Sequence, residues 1–407
     1  MKIEDYYKHP MFADGAGMAI AQILTIIIGV ITSVVLARNL ALEDLGYYVL
    51  ANSYLALGSF FTLPGMSVAM TKGMVKGYDN ICKPAMLRSF LCALAGGVIM
   101  VLVGLVVART EGNSQQGSMI SWAAVMLPIT VFNNYDVVLQ AKRKFILSRS
   151  LAVVFAILGM LIIGLTAYLS KDLQTTLTAM LFTMLLKVIG GWWLTIALMS
   201  NSQKDTLVQQ QLLSQGWEQS FIQFLNPIVG QLDRIMLGIL NPNLVAIYHV
   251  GSIFPRQLKD NAKFLFSVPI LHWSALDRES NVERVKKHGA MILKIGALLT
   301  LLICVTTPWL IPLFYGPMYA PAVLIAILLS LTIGFRLLGN MIWSIDLYQD
   351  NGRRYGKNVI ITKLVYVLLI ITLTPFINIY GVVVSLLIFD LLQFGMGVRY
   401  FRVHTKD

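Results

Sequence analysis

The chain has 407 residues, of which 57% are hydrophobic and 13% charged, and its formal net charge is +12. Soluble domains carry about 25% charged residues, so this composition excludes an ordinary soluble protein and marks a polytopic membrane protein. The positive charge reads as a topology signal rather than as nucleic-acid affinity, because most of it sits in short segments between apolar runs.

Crossing about 30 Å of hydrocarbon takes about 20 apolar residues. Twelve such segments are read: 14–37, 46–69, 87–108, 118–139, 147–169, 176–199, 217–239, 244–271, 289–312, 320–346, 358–376 and 379–399. Ahead of the first, Glu4, Asp5 and Asp14 and the length of the apolar run argue against a cleaved signal peptide, so the first helix is expected to act as the targeting signal. The longest loop on the side away from the termini is the stretch from Arg109 to Ser118, and turns are expected near Asn241, Gly316 and Asn378. The most polar internal stretch, Asn201 to Gln215, reads as a linker. It divides an N-terminal lobe at 1–205 from a C-terminal lobe at 206–407, with six segments each. Cys82, Cys92 and Cys304 lack metal or redox spacing and read as small core residues.

Of the 32 basic residues, 21 fall in segments that share the side of the N-terminus, while only Arg38, Arg109 and Lys171 fall opposite. The positive-inside rule then places both termini inside. The other eight, Lys187, Arg234, Arg256, Lys259, Lys263, Lys294, Arg336 and Lys363, lie within or at the edges of spans.

An internal repeat supports two halves. Leu40-Ala41-Leu42-Glu43-Asp44-Leu45-Gly46-Tyr47-Tyr48 aligns without gaps on Leu240-Asn241-Pro242-Asn243-Leu244-Val245-Ala246-Ile247-Tyr248, each after the first span of its half. With six spans per half the halves are expected to run parallel.

The eighth segment carries the strongest functional signal. At about 100° per residue, Arg256, Lys259, Asp260 and Lys263, with His249, Ser252 and Ser267, share one sector of the helix. A charge at the bilayer centre costs about 2.5–3.5 kcal/mol on insertion scales, so this face implies a wet cavity or an anionic ligand. An internal ion-pair network, including Arg256 with Asp260 four residues on, is the alternative reading. Arg234 and Arg336 on neighbouring segments and Lys187 in the sixth are further candidates for anion contact, Arg as a fork and Lys as a point charge. Lys294 and Lys363 read as residues that reach the interface.

Asp233, Asp260, Asp346 and Asp390 are the acids read within spans, and with His249 they are candidates for coupling to H⁺ or Na⁺. Neutralisation by adjacent cations is the plainer reading for Asp233 and Asp260. Pro128, Pro227 and Pro255 are candidate hinges, because proline removes a backbone donor and crowds the preceding turn. Trp122, Trp217, Trp273 and Trp309 are expected at the interfaces. No nucleotide-binding loop, zinc-protease helix or hydrolase elbow is present, so no enzyme, cofactor or metal site is expected.

Leu36-Ala37-Arg38-Asn39-Leu40 with Glu43-Asp44-Leu45-Gly46-Tyr47-Tyr48 resembles the first-loop signature of Wzx-type polysaccharide flippases of the multidrug/oligosaccharidyl-lipid/polysaccharide (MOP) exporter superfamily. Gly65 to Lys72, Asp233 to Gly238, and Tyr315 to Tyr319 extend the likeness. The resemblance implies an all-α, V-shaped bundle of two six-helix lobes in a bacterial inner membrane. It implies flipping of undecaprenyl-pyrophosphate-linked oligosaccharide to the periplasmic leaflet, by alternating access through a cation-lined cavity, for O-antigen or other surface polysaccharide. A polysaccharide polymerase and chain-length proteins would be its partners, and a monomer is expected. A cation-coupled exporter of the same superfamily and a membrane-embedded polymerase or ligase stay open as alternatives; the basic stripe and the short outer loops weigh against each in turn.

Overall fold

The computed structural model describes residues 10–110, 114–199, 206–261, 278–349 and 353–403, and among these residues all regular structure is helical. Compactness divides the chain into two units, Met1–Gln231 and Leu232–Asp407.

The first unit contains α1 (Pro10–Asn39), α2 (Leu42–Gly58), α3 (Gly65–Val75), α4 (Cys82–Ala108), α5 (Ser114–Thr130), α6 (Tyr135–Ala141), α7 (Phe145–Ser170), α8 (Leu173–Ile196) and α9 (Thr206–Ile222). Helix α10 (Leu225–Leu240) crosses the division between the units. The second unit continues with α11 (Pro242–Asn261), α12 (Arg278–Tyr315), α13 (Pro321–Ser330), α14 (Ile333–Gln349) and α15 (Arg353–Val403).

Among the described residues, seven helical stretches are long and apolar enough to cross a membrane, or nine if each of two bent pairs is one span. This count differs from the twelve segments of the sequence for local reasons. The last two segments run together as α15, broken only where Ile377 and Asn378 leave helical geometry, Asn378 at φ 50°. The segment at 217–239 is split between α9 and α10. The segment at 244–271 begins on α11, carries the polar stripe, and passes into residues outside those described. Large apolar side chains face outward on several helices, with Trp309 77% and Phe376 84% exposed, as lipid-facing surfaces require.

Small residues let these helices close on one another, which replaces the hydrophobic drive that lipid does not supply. A Cβ at Gly296 of α12 would fall 2.2 Å from Gly334 Cα of α14. Helix α9, which the sequence assigns to the C-terminal lobe, packs on α3 of the first unit: a Cβ at Gly65 would lie 2.1 Å from the Gly216 carbonyl oxygen, and the Gly65 amide donates to Ser220 Oγ at 2.9 Å. The compact units therefore divide after α9, beyond the polar linker.

The repeat has a structural counterpart. Helix α1 ends at Asn39 and α2 starts at Leu42, while α10 ends at Leu240 and α11 starts at Pro242. Both paired nonamers thus span the turn that joins the same two helices of their half. Turns also form at Gly316, with φ 104°, and at Asn378, two of the sites at which the sequence places them.

Candidate functional site: a charged cluster in the second unit

Helix α11 is seated by one face and charged on another. A Cβ at Gly251 would approach the Ala322 carbonyl oxygen of α13 to 2.7 Å, and Val245, Ala246, Tyr248 and Val250 are fully buried. His249, Ser252, Arg256 and Lys259 fall along the polar sector at helical spacing.

Arg256 and Lys259 reach different carboxylates on different helices. Arg256 Nη2 donates to Asp233 Oδ2 on α10 at 2.5 Å. Tyr248 Oη donates to the same oxygen at 2.7 Å, and the Arg234 amide donates to Asp233 Oδ1 at 2.9 Å. Asp233 is fully buried, with each oxygen occupied, as a charge in low dielectric requires. One turn further along α11, Lys259 Nζ donates to Asp390 Oδ2 of α15 at 2.7 Å and to Thr332 Oγ1 at 2.8 Å, and Thr332 donates to Asp390 Oδ2 at 2.7 Å. Arg336 of α14 donates to Asp390 Oδ1 at 3.2 Å and to Gln393 Oε1, with its guanidinium 5.3 Å from the centroid of the Phe389 ring. Tyr366 lies within electrostatic reach of Arg256, Asp233 and Asp390, and its ring packs on Phe389 at 5.1 Å.

Four of the cations singled out from the sequence, Arg234, Arg256, Lys259 and Arg336, therefore belong to one connected charged region. His249 lies within electrostatic reach of Arg234 and Arg256. Asp260 is exposed, and Asp233 rather than Asp260 makes the close contact with Arg256, which corrects the same-helix pairing considered from the sequence. Lys363, read as an interfacial residue, lies within electrostatic reach of Arg336. Lys263 lies outside the described residues, and Asp346 falls on α14. Lys187 stands apart in the first unit, where its electrostatic partner is Asp136 of α6.

Among the proline candidates, Pro128 and Pro255 are inside α5 and α11, whereas Pro227 sits in the first turn of α10. Its missing donor costs nothing there, so Pro227 marks the break between α9 and α10 rather than a bend within one span.

Tyr248, Thr332, Tyr366, Phe389 and Gln393 also belong to this region, and none of them stands out in the sequence as a site residue by its type. Gln393 stands three residues after Asp390, one helical turn on, and that spacing was a usable signal; the others are indistinguishable from packing residues in sequence. This cluster has no counterpart at the matching positions of the other half. At the 200-residue offset of the repeat, Ser33, Val34, Ala56 and Ser59 occupy the positions of Asp233, Arg234, Arg256 and Lys259.

No family model and no curated protein matches the sequence. The fold does have solved counterparts. One is the lipid II flippase MurJ in an inward closed conformation, at TM-score 0.74 and 15% identity over 96% of this chain and 87% of that one. Another is a multidrug resistance MATE family transporter of the MOP superfamily in an inward-facing conformation, at 0.66 and 14% identity over 95% and 98%. An outward-facing structure of such a transporter aligns at 0.60 and 14% identity over 97% and 96%. All three are transporters rather than enzymes. The chain is a multi-pass membrane protein, all-helical among the described residues, and its fold is similar to that of these transporters.

Proposed function

We propose that this protein flips a lipid-linked oligosaccharide pyrophosphate, of the undecaprenyl type, from the cytoplasmic to the periplasmic leaflet of a bacterial inner membrane, for O-antigen or related surface polysaccharide. The observation that carries this reading is the charge balance of the second unit. In its charged cluster Arg234, Arg256, Lys259, Arg336 and Lys363 stand against Asp233, Asp260 and Asp390, a formal surplus of two positive charges among these eight side chains. A membrane protein keeps such a surplus only where water or an anion answers it. Arg256 is 30% exposed and commits one guanidinium nitrogen to Asp233, which leaves donors of its fork for phosphate oxygens.

Asp233 and Asp390 then serve first as counterions that hold the cations in place, and exchange of H⁺ or Na⁺ at either would have to displace a bound arginine or lysine. An exporter of cationic drugs would call for the opposite balance of charge. Twelve spans, both termini inside and a monomeric transport unit complete the proposal, with the polymerase and chain-length proteins as downstream partners.

The test is leaflet sidedness of a lipid-pyrophosphate oligosaccharide in proteoliposomes, comparing the intact protein with Arg256→Ala and Lys259→Ala. Translocation by the intact protein that is lost in folded variants supports the reading. Failure of the intact protein to move the oligosaccharide of its own source overturns it.

A further inference from the structure

We infer that the first unit carries a separate polar site that holds the glycan of the transported lipid, at the break between α5 and α6; the inference rests on the flippase reading. The candidate membrane span Ser114–Ala141 is not one continuous α-helix. Helix α5 ends at Thr130, Val131–Asn134 form a tighter turn, and α6 resumes at Tyr135. Tighter helical turns inside a span leave backbone groups to be satisfied by neighbours. Here the Phe132 carbonyl accepts from Trp192 Nε1 of α8 at 2.6 Å, and Asn134 Oδ1 accepts from Ser67 Oγ of α3 at 3.1 Å. Asn133 Oδ1 is buried there without a hydrogen-bond partner among the described residues.

Charge is added to this break from three helices. Asp136 sits on the first turn of α6, and its carboxylate feels Lys187 of α8 and Arg149 of α7 without closing an ion pair to either. The placement of Lys187 follows from packing. A Cβ at Gly191 would lie 2.5 Å from the Tyr135 ring, so this face of α8 is pressed against the start of α6, and Lys187 is one turn away on the same face. Asn133, Asp136, Arg149, Lys187 and Trp192 are all partly exposed. Ionised groups in that state within spans face water rather than lipid.

The chemistry of this set differs from that of the second unit. One carboxylate stands near two cations and the Asn133 amide, so the site offers acceptors and donors side by side with little net charge. A pyrophosphate gains more from the second unit, and a metal or organic cation meets Lys187 and Arg149. A sugar hydroxyl both donates and accepts, and several hydroxyls on one ring need such a mixed array. The class of ligand is therefore a neutral or acidic sugar.

The test uses the purified full-length protein and two probes, bare undecaprenyl pyrophosphate and the same lipid carrying the oligosaccharide of the source organism, with binding read by native mass spectrometry. Asp136→Asn and Lys187→Gln are each expected to weaken the glycosylated probe about ten-fold, the scale of one lost charged hydrogen bond, and Asn133→Ala about three- to five-fold, the scale of a neutral one, all three leaving the bare lipid within about two-fold. Asn133→Ala removes an acceptor that has no partner among the described residues, so no hydrogen bond of that oxygen is lost from the fold. Equal effects on both probes, or no effect of Asn133→Ala on the ratio, would overturn the glycan site while leaving the flippase reading intact. Binding of neither probe by the wild-type protein removes both.

Discussion

Lys259 and Asp390, 131 positions apart in the chain, meet at 2.7 Å, with the Thr332 hydroxyl bonded to both. This contact ties α11 to α15 through a pair of side chains that are 12% and 5% exposed. Breaking a buried pair leaves a charge uncompensated, at a cost of about 3–5 kcal/mol. Asp390→Leu is expected to destabilise by that order in thermal unfolding, because both Lys259 and Arg336 lose their counterion. Lys259→Met added to Asp390→Leu is expected to cost less than the sum of the two single changes, with a coupling of about 1–3 kcal/mol. Strict additivity would show that the two side chains do not interact in the folded protein.

Tyr248 supplies a test of the other anchor. Its hydroxyl donates to Asp233 at 2.7 Å, and both residues are fully buried. Tyr248→Phe removes one donor from a buried carboxylate but keeps the ring, and a loss of about 1.5–3 kcal/mol is expected, the range for hydrogen bonds to charged groups. Asp233→Asn should cost more, because Arg256 then loses its counterion. The opposite ranking in denaturation of the purified protein would mean that Arg256 finds its compensation elsewhere.

Much of the fold was legible because apolar runs and the period of the helix are one-dimensional signals. The stripe from His249 to Lys259 could be placed on one face from spacing alone, and the joins after Asn39 and Leu240 were visible as a 200-residue repeat. Partner choice was not legible. Arg256 has Asp260 four residues away, yet it closes on Asp233 of α10, because the pairing depends on which helices lie side by side, and spacing along α11 does not carry that. The break at Val131–Asn134 is hidden for a related reason: Asp136 lies in an apolar run that satisfies the length rule for a single span, and Pro128 precedes the break without marking the polar groups beyond it.

The attachment of α9 to the first unit predicts a contrast between two glycines. Gly65→Ala would place a methyl group against the Gly216 backbone, where no flexible side chain can yield, and overpacking of this kind costs about 1–3 kcal/mol. Gly159 of α7 has open space around its missing Cβ. Gly159→Ala is expected to be neutral or to stabilise by about 0.4–1 kcal/mol, because alanine loses less backbone freedom in a helix. Thermal unfolding of the two variants checks the contrast, and a stable Gly65→Ala would argue that α9 does not pack on α3.

Arg336 separates charge from geometry in the proposed anion site. Its guanidinium bonds Asp390 and Gln393 and lies 5.3 Å from the centroid of the Phe389 ring. Arg336→Lys keeps the positive charge and loses the planar fork, and the two residues are not interchangeable at such a site. If the fork orients the cation toward the lipid pyrophosphate, Arg336→Lys is expected to weaken binding of bare undecaprenyl pyrophosphate about ten-fold, one charged hydrogen bond in scale. Phe389→Leu keeps the fork but removes the ring, and a cation–π contact of about 0.5–1 kcal/mol predicts a loss of about two- to five-fold. Affinity unchanged in Arg336→Lys would mean that charge alone recruits the anion, and would shift the recognition of phosphate geometry to Arg256.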